Sequence, residues 1–280
     1  MTVTVAEGVD LWTSSGPPAA SGAAMVLVHG GPGLWDYLAP VAGLADDLVV
    51  THRFDQRGCG HSSGPVPSMT DLLDDLEALR VHWGHERWIV LGHSFGATVG
   101  LAYAARFPDS VQGLVHCSGV GPGTSWKTDH RAASAARLTA WQRMRRDLLG
   151  QLEHRTWAEE VEWRALSWLP DFADPDRASA WAHEDARVHL TINWDANRAL
   201  NAEVDGEPES LQRDRCRAVR CPTLVIHGDG DPRPTWSAAE VADLVPDAEL
   251  VVIPGAGHDP WRERPEEFRA HLRAFVSGLS

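Results

Sequence analysis

The pentapeptide Gly92-His93-Ser94-Phe95-Gly96 constrains the fold more than any other part of the chain, because an apolar run, Trp88 to Leu91, enters it and a helical pattern leaves it. A serine at so sharp a strand-to-helix turn takes a strained backbone conformation that pushes its hydroxyl into open space, and glycine on either side avoids collisions across the turn. Gly96, Gly100 and Ala104 then recur every four residues, giving the helix a smooth face that lies close against a sheet. The segment reads as a candidate nucleophile elbow. By itself G-x-S-x-G is unspecific, since many matches are plain turns, and the strand and helix around it carry the weight.

Apolar runs suited to buried parallel strands occur at Met25 to His29, Val49 to Phe54, Trp88 to Leu91, Val111 to Cys117, Pro222 to His227 and Leu250 to Ile253. Helical patterns lie between most of them. In Asp71 to Trp83, Leu72, Leu73, Leu76, Leu79 and Trp83 form one apolar face, with Ser68 and Asp71 as a capping box and Gly84 as the stop. Such alternation predicts an α/β fold, a mostly parallel sheet with helices on both faces, whose ligands bind beyond the carboxyl ends of the strands.

The alternation breaks after Gly119-Val120-Gly121-Pro122-Gly123 and resumes near Cys221-Pro222. Between them the pattern predicts a helix over Asp129 to Leu149 ended by Gly150, a second over Thr156 to Leu169 with Thr156 and Glu159 as a capping box, and a third starting at Asp174-Pro175. The expected organisation is a core of residues 1–120 and 216–280 with a helical cap insertion at 121–215. The insertion holds Trp126, Trp141, Trp157, Trp163, Trp168, Trp181 and Trp194, expected to form its own small core and in part to line a cavity facing the sheet.

At 280 residues the chain is long enough for a buried core without staples. Cys59, Cys117, Cys216 and Cys221 lack C-x-x-C spacing or a partnering His pattern, so neither a metal site nor a disulfide scaffold is expected, and a reducing compartment is the default. The net charge of −14 disfavours nucleic acid. Met1 to Trp12 has no basic region followed by an apolar run, and no stretch approaches a membrane span. A cytoplasmic protein with no membrane partner is expected; the oligomeric state is left open.

A serine hydroxyl needs a base to take its proton and a carboxylate to orient that base. The strand ending at His227 runs into Gly228-Asp229-Gly230-Asp231-Pro232, and the strand ending at Ile253 into Pro254-Gly255-Ala256-Gly257-His258. The order Ser94, Asp231, His258 is the one expected of a hydrolase on this kind of sheet. Two amide donors must also face the developing oxyanion. One is the N–H of Phe95; the other should come from His29-Gly30-Gly31-Pro32-Gly33, where Pro32 has no N–H, leaving Gly31 as the better candidate.

The set HGGPG (29–33), DQRGCGHS (55–62), GHSFG (92–96), HGDGD (227–231) and GAGH (255–258) resembles the capped α/β-hydrolases of the prolyl iminopeptidase group over about residues 20–120 and 220–275. The resemblance implies Ser94, Asp231 and His258 as a triad, with Gly31 and Phe95 as the oxyanion hole, and it favours Asp231 over its neighbour Asp229. No metal or cofactor is required. His93, His29 and His227 are expected to be structural, and Asp55, Arg57 and Ser62 to brace the loop after Phe54, Arg57 being also a candidate pocket contact.

The resemblance further implies carboxylates, some from the cap, that hold the protonated amine of a short peptide. Among Glu184, Asp185, Asp195, Glu203, Asp205, Glu207 and Glu209, the candidate is Asp195, beside Trp194 in the run Ile192-Asn193-Trp194-Asp195. Three readings stand: a peptidase removing an N-terminal, proline-type residue; an esterase, lactonase or amide hydrolase for a small apolar metabolite; and a non-catalytic ligand-binding protein on the same fold.

Overall fold

The computed structural model describes residues 1–19 and 21–279. Its strands are β1 (Thr2–Ala6), β2 (Val9–Ser15), β3 (Ala24–Val28), β4 (Val50–Phe54), β5 (Trp88–His93), β6 (Val111–Cys117), β7 (Thr223–Gly228) and β8 (Ala248–Ile253). They form one sheet in the order β1-β2-β4-β3-β5-β6-β7-β8. β1 pairs with β2 and β2 with β4 antiparallel; every other pairing is parallel. The first two strands were not among the expected ones.

The helices are α1 (Ala39–Ala42), α2 (Met69–His82), α3 (Phe95–Arg106), α4 (Trp126–Ala136), α5 (Ala140–Gly150), α6 (Trp157–Trp168), α7 (Ala178–Ala186), α8 (Trp194–Gly206), α9 (Glu209–Ala218), α10 (Thr235–Leu244), α11 (Pro260–Glu263) and α12 (Pro265–Gly278). β3 and β5 are buried along their whole length because helices cover both faces. On one face, Leu72, Leu76 and Leu79 of α2, Tyr103 of α3 and Val241 of α10 pack with Val26, Val28 and Val90. On the other, Leu38, Val41 and the Phe268, Leu272 and Val276 ridge of α12 pack with Met25, Leu27, Ile89 and Leu91. Alternate strand residues thus feed opposite cores.

The Ser68–Asp71 box caps α2 and the Thr156–Glu159 box caps α6, each with both reciprocal bonds. The single helix expected over Asp129 to Leu149 is instead two. Thr139, in an extended conformation, starts α5 through its own box with Gln142, and Arg137 turns away to bond the carbonyl of Pro170 at 2.6 Å. The helix expected from Asp174 begins only at Ala178, because the Asp174 carboxylate takes the N–H groups of Asp176 and Arg177 in a turn. Helices α4 to α9 all lie between β6 and β7 in chain order. Ala165, Phe172, Ala178, Trp181, Ala182 and Ala186 form a separate small core there, whereas Trp141 is 60% exposed. Among the described residues no helix is long and apolar enough to cross a membrane.

Candidate active site

The chain crosses from one side of β3 to the other between β4 and β5, so the carboxyl ends of β3 and β5 flank a topological switch point where a crevice must open. Ser94 leaves β5 at that point. Its φ of 57° and ψ of −122° lie where a non-glycine residue is strained, and its N–H is held by the Cys117 carbonyl at 2.9 Å. The turn is tight enough that a Cβ on Gly92 would stand 2.1 Å from the Gly96 carbonyl oxygen. One on Gly96 would stand 2.0 Å from the Val28 carbonyl oxygen, so the second glycine answers to the neighbouring strand rather than to the turn itself.

His258, in the loop after β8, places Nδ1 2.6 Å from Oδ2 of Asp231, in the loop after β7. Both side chains are buried. The other Asp231 oxygen accepts from the Arg233 N–H at 2.8 Å, with the Arg233 guanidinium 3.5 Å away and also paired with Asp171. Burial pushes the Asp231 carboxyl pKa up, but His258 and then Arg233 outweigh it and hold the group well below the usual carboxylate range. Asp229 is engaged elsewhere, accepting from the Gly255 N–H at 2.6 Å.

The loop carrying His258 is pinned at both backbone atoms. Its N–H donates to the Asp171 carbonyl at 2.7 Å, and its carbonyl lies 2.9 Å from Nε2 of His93. Burial, and secondarily the neighbouring His258, depress the His93 pKa, so the ring is neutral and has one donor and one acceptor nitrogen. Nδ1 lies 2.7 Å from the Tyr37 hydroxyl, which in turn accepts from the Gly30 N–H at 2.9 Å. One hydrogen-bonded chain, Gly30 to Tyr37 to His93 to His258, thereby spans the loops after β3, β5 and β8. His93 is a brace, as expected, though sequence reasoning missed Tyr37, Asp171 and Arg233.

Gly31, Pro32, Ser94 and Phe95 line a cavity of about 210 Å³ that runs from the elbow between α3 and helices α4, α8 and α9. Phe95 opens α3, where the first N–H groups have no intrahelical acceptor and point toward the cavity end of the helix axis. The loop bearing Gly31 is tied to α8: Asn197 Nδ2 donates to the Gly31 and Pro32 carbonyls at 2.9 and 2.7 Å, and the Asn193 N–H donates to the Gly33 carbonyl at 2.8 Å. Neither asparagine carries a sequence signal for this.

Each charged side chain lining the cavity is paired. Lys127 holds Asp205, Arg215 holds Glu207 at 2.8 Å, and Arg233 lies between Asp171 and Asp231. His130 of α4 also lines it, its pKa pushed down to about 4 by burial and then by Arg233. Trp126 is the one tryptophan among the lining residues.

The structure does not bring Asp195 or Trp194 to Ser94. Asp195 sits in the first turn of α8 with its side chain 73% exposed and bonded to Arg198 at 2.6 Å, as the i,i+3 spacing of an outward helix face dictates. Trp194 borders a different surface cleft with Trp157, Arg155 and Glu160. Arg57 is likewise outside the cavity, locked by two bonds to the buried Asp75 at 2.6 and 2.9 Å. The bracing expected of Asp55 and Ser62 is present: Asp55 accepts from the Asp36 and His61 N–H groups, and Ser62 bonds the Asp55 carbonyl. His29 and His227 meet loop backbone at Gln56 and Arg233.

A family model described as the alpha/beta hydrolase fold matches residues 23–265, and the chain belongs to that family, in its proline iminopeptidase-like group. A proline iminopeptidase of Xylella fastidiosa is 30% identical over 271 residues, covering 85% of this chain and 83% of that protein. A putative carbamate hydrolase of Escherichia coli, RutD, is 29% identical over 95% of this chain and 94% of its own length. The crystal structure of a proline iminopeptidase from Mycobacterium smegmatis superimposes with a TM-score of 0.74 at 24% identity, over 100% of this chain and 98% of that one.

Proposed function

We propose that this protein is a serine hydrolase working through an acyl-enzyme, with Ser94 as nucleophile, His258 as base and Asp231 as the carboxylate that orients it. The observation carrying this reading is the buried 2.6 Å bond between His258 and Asp231, with the His258 ring centroid 4.6 Å from that of His93, the residue just before the strained Ser94. His258 takes the Ser94 proton as the oxygen attacks a carbonyl, and Asp231 steadies the imidazolium. The amides of Gly31 and Phe95 receive the oxyanion, a contribution of about 2.7–4 kcal/mol per donor. His258 then protonates the leaving group and activates water to release the acyl group. Residues 121–215 act as a cap that closes the cavity over Ser94.

The substrate we assign is a small uncharged ester or amide, because among the described residues the carboxylate lining the cavity, Asp205, is already neutralised by Lys127 and leaves no free anion there for a protonated amine. The second reading, removal of an N-terminal proline-type residue, is favoured by the names of the relatives above. Hydrolysis of p-nitrophenyl butyrate beside free and N-blocked prolyl p-nitroanilides separates the two. Ester cleavage with neither anilide turned over supports the first; cleavage of the free anilide alone overturns it. Four buried, unpaired thiols fit a reducing compartment such as the cytoplasm.

A further inference from the structure

Gly230 and Gly257 stand in the two loops that bear Asp231 and His258, and the chemistry above gives neither a use. A Cβ on Gly257 would stand 2.3 Å from the Asp171 carbonyl oxygen, and one on Gly230 would stand 2.5 Å from the Ala173 Cβ. Both glycines make room for one short segment, residues 171–173, of the chain inserted between β6 and β7. That segment is fixed in place from both sides. The Glu263 carboxylate accepts from the Ala173 and Asp174 N–H groups at 2.8 and 3.0 Å and from the Gly257 N–H. Arg137 donates to the Pro170 carbonyl at 2.6 Å and to the Gly230 carbonyl.

Asp171 meets the two loops with different atoms. Its carbonyl accepts the His258 N–H at 2.7 Å. Its carboxylate bonds Nη1 of Arg233, and the same nitrogen lies 3.5 Å from Asp231, whose side chain is fully buried. Two cations compete for Asp231, the Arg233 guanidinium and the imidazolium that His258 becomes, and charge taken up by the first is lost to the second. We propose that Asp171 is a positioning residue that draws the Arg233 guanidinium off Asp231 and so keeps that carboxylate for His258 while the inserted segment is docked. The assignment rests on the serine-hydrolase reading above. The other ionisable groups around the pair are His93 of the elbow, with its ring centroid 4.6 Å from that of His258, His227, 3.8 Å from Asp231, His130 of α4, and Asp259. Burial pushes the Asp259 carboxyl up to about 7.

The test is the pH dependence of kcat/KM for p-nitrophenyl butyrate, measured in each variant alone and again with Asp259→Asn present, so that Asp259 adds no ionisation of its own. Asp171→Asn keeps the carbonyl and the shape but removes the charge, so Arg233 turns fully to Asp231. The acid limb should then move to lower pH by about half a unit or more, with kcat down about tenfold and KM nearly unchanged. Arg233→Gln removes the competing cation and should move the limb the other way, to higher pH; Asp171→Asn added to it should shift the limb by less than it does alone. Asp171→Glu, which keeps the charge, should recover part of the activity lost in Asp171→Asn. A limb unmoved in both single variants overturns the assignment, because a role in packing alone lowers activity without moving an ionisation. Equal shifts from Asp171→Asn with and without Arg233 overturn it as well. Should Asp171→Asn fail to fold, Arg233→Gln decides: a limb moved to higher pH supports the role and an unmoved one ends it. Labelling of the wild type by a fluorophosphonate, absent in Ser94→Ala, tests the underlying reading separately: no labelling sinks both, whereas labelling with an unmoved limb sinks only the role of Asp171.

Discussion

The loops at the strand ends and the helices inserted between β6 and β7 use the same kinds of residue to opposite effect. At the strand ends, ion pairs and hydrogen bonds are buried and linked: Arg233 on Asp231, Arg57 on Asp75, His93 between Tyr37 and the His258 carbonyl. In the insertion many pairs are surface pairs within one helix, such as Arg198 with Asp195 and Arg217 with Asp214. Buried pairs fix geometry because losing one partner strands the other's charge; exposed pairs trade protein contacts for water at little cost. The rigid half is thus suited to hold reacting atoms, and the inserted half is free to change its surface.

That contrast can be broken by substitution. If Ser94 is the nucleophile proposed above, Ser94→Ala should lower kcat on p-nitrophenyl butyrate by about 10⁴-fold or more with an unchanged thermal melt, since its hydroxyl would supply chemistry and no packing. A well-folded variant retaining a tenth of the activity would remove Ser94 from the mechanism. Arg57→Ala should destabilise by about 3–5 kcal/mol in urea titration, because Asp75 would be left buried and uncompensated; a loss below about 1 kcal/mol would place the brace on the same footing as a surface pair.

Smaller effects probe the seam between the halves. A Cβ on Gly33 would stand 2.3 Å from the Asn193 carbonyl oxygen, and the φ of 90° there is itself costly for alanine. Gly33→Ala should therefore cost about 1–3 kcal/mol and lower kcat more than it raises KM, as the Gly31 amide moves with its loop. A rise in KM alone would show that the seam shapes binding and leaves the proposed Gly31 oxyanion donor in place. Asp195→Asn should change stability by less than about 0.5 kcal/mol and leave kcat/KM for free and blocked substrates in the same ratio. A selective loss with free-amine substrates would return Asp195 to the site.

The parallel sheet was legible because strands buried on both faces must be continuous apolar runs, and five of the six expected runs needed only end adjustments of one or two residues at either terminus, the Trp88 strand and the Leu250 strand extending by two. The β1–β2 hairpin was not, since Val9 and Leu11 are buried while Asp10 and Ser15 are exposed, and so short an alternation at a sheet edge resembles a polar loop. Helix α9 hid for the same reason, burying little beyond Gln212 and Cys216. At the site, glycine spacing and chain order singled out Ser94, Asp231 and His258 as candidates, because a sharp turn and a strand end leave local marks, and the structure puts His258 2.6 Å from Asp231. Asn197 leaves none: its partner Gly31 is 166 residues away, and the residue type alone says nothing of where an amide points. Asp195 misled because an acidic residue beside tryptophan looks the same whether its helix face turns inward or outward.

The clip formed by Asn193 and Asn197 has a consequence for inheritance. Because α8 grips the backbone of the loop at Gly31 to Gly33, and Asp171 holds His258 and Arg233, the inserted helices can be exchanged between relatives only as a graft that carries these contacts at their present spacing. The exposed faces of α5 and α6, where Trp141 and Trp157 stand, can diverge into new selectivities, while a shift of one residue between Asn193 and Asn197 would move the loop that carries the proposed Gly31 donor.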